Sequence, residues 1–374
     1  MSARARLRTA AAIALTVVVT AGSSALLTGC GPAGDGKSAA ASAAPSVPAG
    51  TASGAALGLT AATPSPTPTG APTAGAQATT ATPTAKPVAP STAAPTRSAA
   101  ALGGTAGNGL TVSDGTRYVL MNGTAVDFGT AVRDLAWSPD GSKAAFIDGS
   151  GSLVVANPDG SGRVVVARNP GGQTWSHPTW QVAPADGQYQ IPAKNNLLFA
   201  ASKDGVSRLK KVPAGAGAAT PTDLPLNGFP DEEATPLPLT GNTWPGAGGG
   251  YGSSVYANTG TGEVFIRDEY LRQQGSAIAK GSQPAISPDG EEIVFVRSVE
   301  GHDHIFAATD HGRTTRDLTP HAGTDYTEPA FSPDGRTIAV RTPAGIATLP
   351  ADGSAAPTRI SDHAGLPAYR GGHR

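Results

Sequence analysis

One cysteine, Cys30, is present in 374 residues, so no disulfide within the chain can hold its fold together. Aromatic residues make up 5% of the sequence and charged residues 15%, with a formal net charge of −1. There is no basic stripe and no arginine cluster interleaved with aromatics, the usual footprint of a nucleic-acid binder. Long apolar runs are missing too. The stretch Ala10–Thr20 falls well short of the roughly 20 residues that a membrane-spanning helix needs. Neither a Gly-x-Ser-x-Gly elbow nor a His-Glu-x-x-His zinc motif occurs, which removes two common hydrolytic designs. The Gly-rich run Gly246–Gly252 has no Lys-Ser or Lys-Thr after it and reads as an inter-strand loop.

What the chain does contain is a repeat. Residues 134–141, 283–290 and 328–335 read DLAWSPDG, QPAISPDG and EPAFSPDG, and each is followed by a short apolar run, KAAFI, EEIVFV or RTIAV. Proline presets the second position of a type I turn and glycine accepts the left-handed position after it, so Ser-Pro-Asp-Gly closes a hairpin. The flanking strands are apolar without alternation, as expected when both faces of a sheet are buried. A second turn at Asn157–Gly160, Asp310–Gly312 and Ala351–Gly353 would join the third and fourth strands of each unit. The spacing of the last two copies fits the roughly 40–50 residue period of a four-stranded propeller blade.

Weaker units follow from these markers. One starts at His177-Pro178-Thr179-Trp180 and stretches its turn into Ala183–Gly187. Another is placed near Glu233-Ala234-Thr235-Pro236, with strands at Ser254–Tyr256 and Glu263–Ile266. Ahead of the five units, Leu110–Val112, Arg117–Met121 and Ala125–Phe128 are strand-like runs that form either a sixth blade or strands closing the ring. The expectation is therefore an all-β propeller of six nominal blades, with five as the alternative, over residues 109–362, and a flexible tail at 363–374.

The N-terminal third is of another kind. Arg4, Arg6 and Arg8 precede the apolar stretch, and Leu27-Thr28-Gly29-Cys30 then resembles a bacterial lipobox. That resemblance implies a signal peptide at 1–29, cleavage before Cys30 and diacylglyceryl modification of its sulfur; the bland alternative is an ordinary signal peptide with an incidental cysteine. Two acyl chains suffice for stable anchoring. Residues 30–108 are almost all Ala, Thr, Pro, Gly and Ser, with Asp35, Lys37, Lys86 and Arg97 as the charged exceptions. A segment so poor in apolar area cannot offset its ordering entropy. It reads as a disordered tether with a reach of about 50 Å, placing the propeller at the outer face of the cytoplasmic membrane or in the cell envelope.

Candidate site residues come from the connections that lead into inner strands, because these open at one mouth of a propeller's channel. They carry Arg133, Asp134, Trp175, His177, Asp231, Glu233, Lys280, Gln283, Asp325, Tyr326 and Glu328, a mixture of charge and aromatic surface suited to recognition. Asp134 and Glu328 have a structural reading beside the functional one, as ties between neighbouring blades. His302, His304 and His311 lie close in sequence, yet their spacing fixes no carboxylate partner, so no metal and no cofactor are expected.

The repeats resemble those of the TolB-type propeller family, also described as WD40-like or PD40 repeats. RDLTPHAGTDYTEPAFSPDGRTIAV matches that pattern closely, whereas the second and third units match it weakly. The resemblance implies a protein-binding platform in the cell envelope that performs no chemistry. An envelope protein or cell-wall component is the expected partner, with the membrane reached through Cys30, no nucleic acid, and a monomeric chain. Two other readings stand beside it: a propeller enzyme cleaving envelope glycans with Asp231, Glu233 and Glu328 as acid and base, and an accessory protein of a membrane signalling kinase.

Overall fold

The computed structural model describes residues 103–372, apart from 216, 228–235, 271–274, 310 and 311. Its described strands form six four-stranded antiparallel sheets, the blades of a propeller. Blade I holds β1 (Leu110–Ser113), β2 (Tyr118–Met121) and β3 (Thr124–Asp127). Blade II holds β4 (Arg133–Trp137), β5 (Ala144–Ile147), β6 (Leu153–Ala156) and β7 (Val164–Ala167). Blade III holds β8 (Thr174–Ala183), β9 (Lys194–Lys203), β10 (Val206–Pro213) and β11 (Thr222–Asp223). Blade IV holds β12 (Asn242–Gly248), β13 (Ser253–Asn258), β14 (Glu263–Arg267) and β15 (Gly275–Lys280). Blade V holds β16 (Ser282–Ile286), β17 (Ile293–Val299), β18 (His302–Thr309) and β19 (Thr314–Asp317). Blade VI holds β20 (Thr327–Phe331), β21 (Thr337–Thr342), β22 (Gly345–Pro350) and β23 (Thr358–Ser361). A last strand, β24 (Leu366–Tyr369), pairs with β1 and supplies the missing inner strand of blade I.

That strand corrects the expected tail at 363–374. Leu366-Pro367-Ala368-Tyr369 repeats the Xaa-Pro-small-aromatic pattern of Glu328-Pro329-Ala330-Phe331 and folds accordingly. The closure is well bonded: Thr111 Oγ1 donates to the Ala368 carbonyl at 2.9 Å, and the Arg370 amide donates to the Gly109 carbonyl at 2.8 Å. The Arg370 guanidinium then lies over the Trp137 ring, 5.4 Å from its centroid. Pairing of the first and last described strands closes the ring, leaving only the short blade edges typical of a propeller.

The Gly-rich run is a loop only in its second half, Gly249–Gly252, which turns from β12 into β13. Pro245–Gly248 belongs to β12, the inner strand of blade IV, so this blade begins about nine residues later than Glu233–Pro236 suggested. Glycine is used there for close approach: a Cβ on Gly248 would meet the Ser287 carbonyl oxygen at 2.8 Å.

The strands lack alternation because neighbouring blades share their side chains. Leu197, Phe199 and Ala201 on β9 pack with Ile147 and Val155 of blade II. Between them in sequence, Leu198 and Ala200 pack with Tyr256 and Phe265 of blade IV. Each of the six blade interfaces holds such a cluster, so the core is a ring of apolar seams. The serine of each Ser-Pro-Asp-Gly turn is a staple. Ser332 Oγ donates to Asp334 Oδ1 at 2.6 Å and accepts the Thr337 amide at 3.0 Å, while Gly335 sits at φ +71°. Ser138 and Ser287 repeat the arrangement, and the Ser138 hydroxyl, followed by the Ser142 amide, holds the Asp140 carboxyl down at about 2.

Candidate functional site

Each inner strand runs from one mouth of the channel to the Ser-Pro-Asp-Gly face, or its counterpart, at the other. At its start, the register slips in five of the six blades, between Arg133 and Ala136, Ser176 and Thr179, Thr243 and Gly246, Ser282 and Ala285, and Thr327 and Ala330. One residue in each bulge takes left-handed backbone: Asp134 (φ +55°), His177 (+51°), Trp244 (+53°), Gln283 (+48°) and Glu328 (+52°). For a residue with a side chain this conformation costs about 1 kcal/mol or more. Proline follows the bulged residue in four of the five strands. It suits a strand edge that faces the channel and has no ladder partner for an N–H. In β24 the pairing is regular, and Leu366 takes the equivalent place.

The bulges aim their side chains around one mouth, where Asp134, His177, Trp244, Gln283, Glu328 and Leu366 line a cavity of about 220 Å3. Neighbouring blades are tied there. Asp134 Oδ2 accepts the His177 amide at 3.0 Å, and Gln283 Oε1 accepts the Glu328 amide at 2.7 Å. The His177 ring packs on Trp244 with centroids 3.6 Å apart. Arg341 Nη1 donates to both oxygens of Glu328 at 3.2 Å. Burial pushes the Glu328 carboxyl up, opposed by Arg341 and reinforced by the charge of Asp134. Burial pushes the His177 imidazole down, against the pull of Asp134, so it stays neutral at physiological pH. Its Nδ1 is buried with no hydrogen-bond partner among the described residues. The mouth thus combines a neutral imidazole, an indole, an amide and two carboxyls, groups suited to recognition by hydrogen bonding and packing.

Four of the residues expected at this mouth meet there: Asp134, His177, Gln283 and Glu328. The structural role foreseen for Asp134 is also realised, since its carboxylate ties blade II to blade III. Arg133 is exposed beside the bulge. Trp175 is 3% exposed and packs on Phe199 at 4.7 Å, a core side chain and not a surface one. Asp325 accepts the Asp303 amide at 3.1 Å and faces His302 Nδ1 at 3.3 Å, and the Asp303 amide is the main reason its carboxyl is held down. Tyr326 borders a separate cavity of about 230 Å3 with Leu318, His321 and Ala355. Asp231, Glu233 and Cys30 lie outside the described residues.

His302 and His304 do not converge on one ion, because His304 Nδ1 faces Asp317 at 2.8 Å while His302 faces Asp325. His311 lies outside the described residues, and no group of three metal-ligating side chains occurs among them. Gly31–Ser38 has the spacing of a phosphate-binding loop, G-x-x-x-x-G-K-S, but this stretch also lies outside the described residues and follows Cys30 directly without a strand-like run. Two residues at this mouth were not expected there: Leu366, on a strand taken for a tail, and Trp244. The signal for Trp244 was present: Trp244-Pro245-Gly246-Ala247 fits the Xaa-Pro-small register of Gln283-Pro284-Ala285-Ile286.

No protein-family model matches the chain, and no curated protein matches its sequence. Among solved structures it is similar to a putative TolB from Agrobacterium tumefaciens, at 17% identity over 68% of this chain and 89% of that one, with a TM-score of 0.47. TolB from Acinetobacter baumannii shares 15% identity over 70% of this chain and 65% of its own length, with a TM-score of 0.48. An oligogalacturonate lyase in complex with manganese shares 15% over 66% and 70%, with a TM-score of 0.41. Similarity at this level concerns the propeller architecture, and function has to be argued from the site.

Proposed function

We propose that this chain is an extracytoplasmic propeller, anchored through an acylated Cys30, that binds another protein or envelope component at its bulged mouth and performs no chemistry itself. The observation that carries this reading is the ring of five left-handed residues, Asp134, His177, Trp244, Gln283 and Glu328, around one cavity. Backbone strain repeated in five blades at one mouth is the kind of cost retained at ligand-binding positions. The TolB-type repeats Gln283–Gly290 and Glu328–Gly335 point the same way by resemblance, and the unbonded Nδ1 of His177 leaves a polar group for a ligand to satisfy.

A photoreactive amino acid at position 244 or 283 of the full chain, irradiated in its own envelope, tests the proposal. The expected result is one defined protein adduct from both positions and none from Val164, which is exposed on an outer strand. Equal adducts from all three positions, or none from the mouth, would overturn it. One observation favours a second reading, glycan cleavage: the Glu328 carboxyl is held up with the Asp134 charge nearby, as acid and base in a cleft would be. Against it, Arg341 engages both oxygens of Glu328.

A further inference from the structure

Far from the bulged mouth, three tyrosines from three separate connections converge on the opposite face, the one that carries the Ser-Pro-Asp-Gly turns. Tyr189 sits on the long β8–β9 connection, Tyr251 on the β12–β13 hairpin and Tyr270 just after β14. Tyr251 and Tyr270 lie 4.6 Å apart between ring centroids at an angle of 36°, and Tyr189 meets Tyr270 edge-on at 5.3 Å. The first two of these connections replace the Ser-Pro-Asp-Gly hairpin that blades III and IV have lost. Blades II, V and VI close the same hairpin with the short connections 138–143, 287–292 and 332–336. Blade III spends residues 184–193 on it, and most of them are exposed.

The departure has a product. Asp186 Oδ1 accepts the amides of Gln188 and Tyr189, at 2.9 and 3.2 Å, while its Oδ2 accepts the Tyr251 hydroxyl at 3.3 Å. Asp268 Oδ1 accepts the Tyr270 amide at 2.9 Å and the Ser253 hydroxyl at 3.3 Å. The platform also has a rigid floor. Lys194 Nζ donates to the Tyr251 carbonyl at 2.8 Å and pairs with Glu269 at 3.3 Å; Arg267 pairs with the same carboxylate; and Gln181 Nε2 donates to the Gly252 carbonyl at 2.9 Å. Loop rings fixed in this way lose little entropy on binding, and tyrosine offers a large contact area at low entropic cost.

Charge identifies the occupant. Lys194 and Arg267 are both turned inward onto Glu269, whereas the carboxylates of Asp186 and Asp268 bond directly to the tyrosines, Asp186 to the Tyr251 hydroxyl and Asp268 to the Tyr270 amide. Tyrosine faces are themselves electron-rich. We infer that Tyr189, Tyr251 and Tyr270, with Asp186 and Asp268, form a second binding surface for an arginine-bearing segment of a partner protein. A guanidinium stacks on a tyrosine ring and pairs with a carboxylate in one geometry, which an ammonium does less well. This inference is independent of the bulged mouth.

The test is titration calorimetry of the full chain with an octapeptide alternating glycine and arginine, beside its lysine and glutamate counterparts and maltohexaose. The arginine peptide is expected to bind most tightly, the lysine peptide more weakly, and the other two not at all. Tyr270→Ala should weaken the arginine peptide about tenfold and Asp268→Asn about threefold. Gln283→Ala at the mouth should leave it unchanged, so failure here and failure of the mouth reading are told apart. Asp268→Asn keeps the test open if the tyrosine variant does not fold. Absence of arginine-peptide binding, binding unaffected by both platform variants, or capture of maltohexaose in its place would each overturn the inference.

Discussion

Blades II, V and VI close their inner hairpins with Ser-Pro-Asp-Gly, whereas blades III and IV have lost that turn. The three regular blades are stapled by one serine and one aspartate each and, among the described residues, carry no ion pair as enclosed as that of Arg267 and Glu269. The drifted pair holds the histidine stacked on Trp244 at the mouth, the tyrosine platform at the other face and the buried charges between them. A ring needs each blade to present its seams to two neighbours, and the second strands β5, β9 and β13 do this in both classes. The hairpins contribute little to those seams. Once the ring is closed by β24, turn residues in some blades can depart from the repeat and take on recognition.

If that division holds, the largest stability loss should come from the drifted half. Glu269→Gln would leave Arg267 and Lys194 buried without their carboxylate, with the Arg267 Nε and Tyr256 hydroxyl already lacking hydrogen-bond partners among the described residues. Removing one member of a buried pair costs about 3 kcal/mol or more. Urea unfolding of the full chain should show the midpoint fall accordingly; a change under about 1 kcal/mol would mean that water reaches the cluster and that the two halves are alike.

Loss of a staple in a regular blade should cost less. Ser332→Ala removes the hydroxyl that joins Asp334 to the Thr337 amide, worth about 1 kcal/mol by the same assay. Ser287→Ala should match it, since its bonds repeat those of Ser332. A loss in either variant as large as that of Glu269→Gln would show that the turns, and not the seams, carry the ring.

The regular blades were the legible part of the sequence. Ser-Pro-Asp-Gly marks a hairpin by local chemistry alone, and the apolar runs after it predict strands buried on both faces. Blade IV was misplaced because Thr235-Pro236 mimics the start of an inner strand while Pro245–Gly248 has the composition of a loop. Only the neighbouring strand at Ser287 shows why glycine is needed there. Four mouth residues were readable because the bulge repeats in register. Trp175 was not, for it stands two residues from His177 and only the tertiary fold turns it into the seam with Phe199. The tyrosine platform is a contact among residues 189, 251 and 270, and no local pattern announces it.

The smallest expected effect separates the two mouths of the channel by pH. Burial keeps the His177 imidazole below its usual value of 6.5, so the unfolded chain binds a proton that the native mouth refuses. Stability contributed by that neutral histidine is therefore complete above about 6.5 and declines as pH falls through that value. Glu328 acts in the opposite sense and lower down, its raised carboxyl giving the native state the extra proton just above 4.5. The turn aspartates belong to the other face. Asp140, Asp289 and Asp334 are held down by serine hydroxyls and turn amides, and their contribution is lost only as pH falls below about 3.8. Thermal midpoints between pH 7 and pH 5 should then fall less steeply for His177→Gln than for the unaltered chain, while Ser332→Ala leaves that slope unchanged. Equal slopes for His177→Gln and the parent chain would mean that solvent already satisfies Nδ1, and the mouth would lose the polar group that a ligand is proposed to fill.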